Sequence, residues 1–330
     1  MSVPSPLPSP AALIAEIPGI LGFHPANSVV FMLLKRIDDS TCSLGPVLRM
    51  DVGDSNSLPD ITACINSFGA DAVFAVVVAE SSNYPFISEV VTASIDNLDV
   101  VWHCRGISED ECYTALWTDR PASTYDPSFL AGLIAPVHAA VSTKELLSKG
   151  DLIAPDRDEA LDPLRCDPAR SEEGEALMRH ATELLDEVGP IRDLILPLRQ
   201  DLAAGRRDEA QARLVAAMVA SADVRDLTLG ELLQHPEIAD ELLTDLAQQL
   251  PNPELRAGAL SMLACLLLAG GHNTRASIVI KAAGEASSDH RLTQLLVEAS
   301  MVGALEVLVP ALEEGVHIGR VKAGIPEPVA

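Results

Sequence analysis

The hydrophobic period changes once along this chain, and that change constrains the fold more than any motif. Up to about residue 120, short β-branched blocks alternate with helical patterns; from about residue 171 every segment carries the helical period. Residues 28–34 (SVVFMLL) and 44–52 (LGPVLRMDV) read as buried strands joined into a hairpin through KRIDDSTCS. A helix follows over residues 57–69, started by Ser57 or Pro59 and stopped by Gly69. The unbroken apolar run DAVFAVVVAE then suits a central strand covered on both faces. The pattern repeats with a helix over 86–98, the strand DVVWHCR, a turn at GISED and the strand ECYTALW. Such alternation predicts an α/β fold, a mixed sheet with parallel crossovers and hairpins, followed by an α-helical, tetratricopeptide-like bundle.

Four stretches result. Residues 1–10 (MSVPSPLPSP) read as a disordered, proline-rich tail, and residues 11–120 as the mixed α/β domain. Residues 121–170 form a connecting segment, rich in proline and acid, with one helix and enough length to pack on the sheet. In that helix Ser142 and Glu145 make a capping box and Gly150 the stop. Residues 171–330 form the helical domain. Thr228 with Glu231 reads there as another capping box, and Asn252 followed by Pro253 as a helix start. Ala264, Ala276, Ile280 and Ala283 fall where a tetratricopeptide-like hairpin needs small or apolar residues. The repeat's proline is missing and Glu298 replaces a small residue, so one degenerate unit is expected and no array.

At 330 residues, 48% hydrophobic but only 3% aromatic, the chain must pack two cores mainly with aliphatic side chains. Its formal charge of −25, from 48 acids against 23 bases, repels phosphate backbones and anionic membranes. Nucleic-acid and membrane partners are therefore not expected. Between Met50 and Cys104 no lysine or arginine occurs, an imbalance that a cationic partner or a divalent metal could use, but a solvated acidic face is the favoured reading. Six cysteines without a CxxC pair describe neither a disulfide framework nor a zinc ribbon. No stretch reads as a signal peptide, and the apolar run ALSMLACLLLAGG is too short to span a bilayer, so a cytoplasmic protein is expected.

The segment AALIAEIPGILGFHPANSVVFMLL, followed by VLRMDV, resembles the start of actinobacterial proteins grouped as domain of unknown function family 4192. The later run RAGALSMLACLLLAGGHNTRASIVIKAAGEASSDHRLTQLL is similar to the helical hairpin that closes that family. After its last strand the chain departs from the pattern: TDRPASTYDP stands in place of a cysteine- and proline-containing stretch. The resemblance implies these domain boundaries and an actinobacterial cytoplasm, and implies no activity.

Chemistry-bearing residues are few. In the joint GFHP, Gly22 can end the first helix and Pro25 prevents its resumption, with Phe23 folding back on the core. Asn27 and Ser28 can bond loose backbone groups at the start of the strand. Arg49 and Asp51 lie two apart on the next strand and share a face. His24, Asn27, Ser28, Arg49 and Asp51 are thus the candidate ligand-binding residues, Asp51 orienting His24 and Arg49 holding an anion. The competing account is an ion pair that fixes a helix–strand corner. His103, Cys104 and Cys112 are metal-ligand types, but adjacent strand residues point to opposite faces. Cys104 and Cys112 can still face each other across the hairpin. No phosphate loop, dinucleotide fingerprint, HExxH or GxSxG is present, and GGHNTRAS lies between two helices as a turn. No catalytic residue, metal or cofactor is expected. The sequence reads as a protein-interaction or regulatory module without catalysis; the alternative is a small-molecule site for an anionic or nucleotide-like ligand near His24, Arg49 and Asp51.

Overall fold

Residues 28–34 are buried without a break, and only a strand with both faces covered does that without wasting apolar side chains. The computed structural model describes residues 5–6, 9–38, 41–81, 84–187, 189 and 191–326. The chain divides into two compact units, Met1–Ala160 with Met301–Gly303, and Leu161–Ser300 with Ala304–Ala330.

The first unit is built on a sheet of order β1-β3-β2-β4-β5-β6-β7. Its strands are β1 (Ser5–Pro6), β2 (Ser28–Arg36), β3 (Thr41–Asp51), β4 (Ala72–Val78), β5 (Leu98–Cys104), β6 (Cys112–Thr118) and β7 (Ala131–Leu133). β4 and β5 pair in parallel and every other neighbouring pair is antiparallel. Because β3 and β4 both run against β2, they also share a direction, so the sheet contains two crossovers. Helices α2 (Leu58–Phe68) and α3 (Tyr84–Thr92) make them. Both contribute to the core on one face, where Ile65, Phe86 and Val90 join Val29, Phe31, Val77 and Val101. The other face carries Val30, Met32, Phe74, Val76 and Trp102, covered by Leu13, Ile14 and Ile17 of α1 (Pro10–Leu21).

Gly69 ends α2 in the left-handed conformation expected of it. α3 stops at Thr92, short of the expected residue 98, because Ser94 and Asn97 both take positive φ and turn the chain into β5. In the hairpin, β2 runs on past its apolar block to Arg36, and β3 begins at Thr41, ahead of its own block. Of the expected disordered tail, residues 1–4 and 7–8 lie outside the described residues, Ser5–Pro6 pairs with Thr41–Cys42, and Pro10 opens α1.

The connecting stretch holds more than one helix. α4 (Pro127–Leu130) precedes β7 at the sheet edge, followed by α5 (Val141–Ser148) and α6 (Arg157–Leu161). The capping box at Ser142 and Glu145 does not form. Glu16 of α1 instead accepts from the backbone N–H groups of Val141 (3.0 Å) and Ser142 (2.8 Å), capping α5 from another element.

The second unit contains α7 (Ser171–Glu187), α8 (Arg192–Ala204), α9 (Arg207–Ala220), α10 (Ala222–Leu232), α11 (Pro236–Gln249), α12 (Pro253–Ala269), α13 (Asn273–Ala286), α14 (Arg291–Met301) and α15 (Leu305–Ala323). Its core is aliphatic, running through Leu198, Leu214, Leu243, Leu260, Leu263 and Val279. Asn252 caps α12 by accepting from the N–H groups of Glu254 (2.9 Å) and Leu255 (3.1 Å). Ala264, Ala276, Ile280 and Ala283 are all buried. Thr228 starts no helix: it lies inside α10, whose cap is Ser221, and its hydroxyl donates to the Val224 carbonyl. Among the described residues no helix is long and apolar enough to cross a membrane.

Candidate functional site

The GFHP joint turns α1 into β2. Gly22 adopts φ 78° and its N–H donates to the Pro18 carbonyl (2.8 Å), ending the helix as glycine alone can do without strain. The chain then pairs with residue 154: His24 N–H donates to the Ala154 carbonyl (3.1 Å), and Ala154 N–H to that of Gly22 (2.8 Å). Phe23 and Pro25 are buried and His24 is half-buried.

Four candidate residues converge beyond this joint. Ser28 stands opposite Asp51 in the hairpin register. Its hydroxyl donates to the Ala26 carbonyl (2.7 Å) and accepts from Arg49 Nε (2.9 Å). Arg49 and Asp51 share a face, as their spacing requires, and pair at 2.5 Å. The Asn27 carbonyl accepts from Val52 N–H (2.8 Å). Arg157, which sequence spacing did not single out, adds its guanidinium to Asp51 at 3.8 Å. None of the hydrogen bonds or ion pairs of this cluster among the described residues involves the His24 ring.

The Arg49 side chain is only 14% exposed, whereas that of Asp51 is 55% exposed. Burial pulls the Arg49 pKa down, Asp51 opposes that, and Arg157 adds to it; burial prevails. Ser28 and Asp51 thus hold a half-buried guanidinium at the point where helix becomes hairpin.

The metal-ligand types on the β5–β6 hairpin do not meet. His103 bonds the Ala79 carbonyl through Nε2 (2.9 Å), Cys104 is buried, and Cys112 is exposed, so the two thiols do not face one another. Burial first, and Glu111 second, push the Cys104 pKa up to about 12, which makes it an inert thiol. Trp102 is fully buried and donates Nε1–H to the Phe129 carbonyl (2.8 Å), so it belongs to the sheet.

A cavity of about 900 Å³ opens at the opposite end of the sheet, at the amino ends of β4 and β5. Phe74, Leu98, Trp117 and Phe129 provide apolar wall, while Asp71, Asp99, Asp119 and Asp126 accompany Arg36 and Arg120. Tyr125 stacks on Phe129 with ring centroids 5.5 Å apart and planes 15° apart. Its hydroxyl donates to Asp99 (2.8 Å), which also accepts from Arg120 (3.2 Å). The Arg120 guanidinium lies 5.0 Å from the centre of the Tyr125 ring. Bonds to Tyr125 and Asp99 raise the Arg120 pKa; burial and the Asp99 bond raise that of the Tyr125 phenol. Hydrogen bonds from Ser128 lower the Asp126 pKa. Sequence reasoning missed this constellation, although part of it falls in TDRPASTYDP, where the chain departs from the family pattern.

Fold and sites together define a two-unit protein: a mixed α/β sheet unit with a cavity, and an aliphatic helical unit. Residues 10–305 match the family described as a domain of unknown function, DUF4192, and the chain belongs to that family. No curated protein and no solved structure shows significant similarity to it.

Proposed function

We propose that the protein is a cytoplasmic interaction or regulatory module without catalysis, and that its helical unit presents the partner-binding face. One observation carries this reading. α15 exposes Val307 (70%), Ile318 (44%) and Val321 (70%), three large apolar residues whose spacings of 11 and 3 bring them onto one face. The other side of the helix is anchored. Val316 is buried, and the buried Arg320 guanidinium donates to the Gly230 carbonyl (3.0 Å) and pairs with Glu231 (3.0 Å). A helix held on one side with apolar residues facing outward is suited to receiving an amphipathic partner helix. The net charge of −25 favours a basic partner and disfavours nucleic acid. The buried small residues of α12 and α13 are consistent with tetratricopeptide-like packing.

The rival site at His24, Arg49 and Asp51 has less support, since Ser28, Asp51 and Arg157 already engage its charges. Affinity capture with the full chain tests the reading. The wild type should retain a partner that a Val307→Glu, Val321→Glu double variant loses while keeping its helical circular dichroism. Equal retention by both proteins, or none by either, would refute it.

A further inference from the structure

The cavity beside Tyr125 already contains a cation of the protein's own. Arg120 lies over the Tyr125 ring at 5.0 Å and bonds Asp99 at 3.2 Å, so an aromatic face and a carboxylate bind one guanidinium together. The arm that delivers it is weakly held, because the Arg120 side chain is 61% exposed. Asp99 is far better fixed: its own side chain is 19% exposed, and Tyr125 donates to it at 2.8 Å. The receptor is therefore ordered while its present occupant is exchangeable.

The surroundings select for positive charge. Asp71, Asp99, Asp119 and Asp126 line the cavity against Arg36 and Arg120. An anion entering here meets more carboxylates than guanidiniums. The apolar lining beside Tyr125 is Phe74 and Phe129, on the face of the sheet covered by α1, whereas Leu98 and Trp117 belong to the opposite face. About 900 Å³ is ample for a small organic molecule.

We propose that this cavity is a binding site for a small organic cation, a guanidinium or amidinium on a flat or apolar body, which takes the place of Arg120 over Tyr125 and against Asp99. The ligand's charged end lies beside Asp99, and its body packs on the Tyr125 side of the sheet, toward Phe74 and Phe129. Binding here needs no other part of the chain and is independent of the α15 reading.

Isothermal titration calorimetry of the full chain tests the site with benzamidine and its neutral isostere benzamide. Benzamidine should bind saturably at one site, and benzamide at least tenfold more weakly. The Arg120→Ala variant should bind benzamidine several-fold more tightly, because the competing guanidinium is gone. Asp99→Asn should weaken binding at least tenfold. Should that variant fail to fold, Asp119→Asn, which leaves the Asp99–Tyr125 bond intact, should still weaken binding several-fold. Absence of benzamidine binding in both wild type and Arg120→Ala, equal binding of benzamide, or weaker binding after removal of Arg120 would each overturn the proposal.

Discussion

Gly19 lies buried in α1 where a Cβ would run into the backbone nitrogen of Thr143 and the hydroxyl of Ser142 at the start of α5. Alanine in a helix interior normally stabilises by about 0.5–1 kcal/mol relative to glycine. Overpacking costs roughly 1–3 kcal/mol, and a backbone atom cannot rotate away as a side chain can. The second effect wins, so Gly19→Ala should lower stability by about 1–2 kcal/mol in urea unfolding. Unchanged or raised stability would show that α5 shifts freely. Glu16, three residues earlier, caps the same helix, and Glu16→Ala should cost about 1 kcal/mol, as lost caps do. The two losses should not add, since displacing α5 already breaks the cap. None of this was legible locally. The Ser142–Glu145 spacing satisfies the capping-box pattern, yet those N–H donors are taken by a carboxylate 126 residues away. Gly22 and Asn252 were legible because each completes its bond within four residues.

The strands and helices with strong local signals formed where expected, and the mismatches lie where a distant contact decides. α3 ends early because Asn97 turns to donate its side-chain N–H to the Ala70 carbonyl (2.8 Å), a contact no period reveals. Glu231 has the spacing of a capping-box end and is instead buried between Arg199 and Arg320. The joint between α12 and α14 supports a prediction on pH. His290 Nδ1 lies 3.0 Å from the Thr293 hydroxyl and 3.4 Å from the Thr293 N–H, and that hydroxyl also meets Ser261 at 2.8 Å. A backbone N–H can only donate, so Nδ1 must accept, and the ring is neutral when this network is intact. Burial first, then Arg225, lowers the His290 pKa, with Glu254 opposing. The unfolded chain therefore takes up this proton at a higher pH than the folded one does. Stability from this group is present above about pH 6.5 and is lost as pH falls through that value toward the lower folded pKa. Melting temperature should drop more steeply between pH 7 and 5 in the wild type than in His290→Gln; identical slopes would exclude the linkage.

The whole chain carries a charge of −25, with 48 acids against 23 bases, and most of this excess lies on exposed side chains. The division into a sheet unit and a helical unit was legible in the change of hydrophobic period, since that pattern is a property of long segments. The cavity was not. Its residues come from β2, β3, β4, β5, β6, α3, α4 and the turns beside them, so only the assembled unit brings them together. Charge excess, by contrast, needs no fold to be counted, and its consequence follows from two opposed effects of salt. Added salt weakens exposed ion pairs such as Arg165–Asp162 and Arg207–Glu241, each worth at most about 1 kcal/mol. It also screens repulsion among the unpaired carboxylates, which reaches beyond single pairs because the Debye length is about 10 Å at 0.1 M. With twice as many acids as bases, most carboxylates have no partner to lose, and screening dominates. The pair of Glu231 with Arg320 is buried and stays nearly unscreened, so it does not reverse the sign. Raising sodium chloride from about 0.02 to 0.3 M should therefore raise the melting temperature. Potassium chloride should act equally, because screening depends on ionic strength and not on a bound cation. A fall in melting temperature from the lowest salt onward would mean that paired charges, few as they are, govern the stability of this chain.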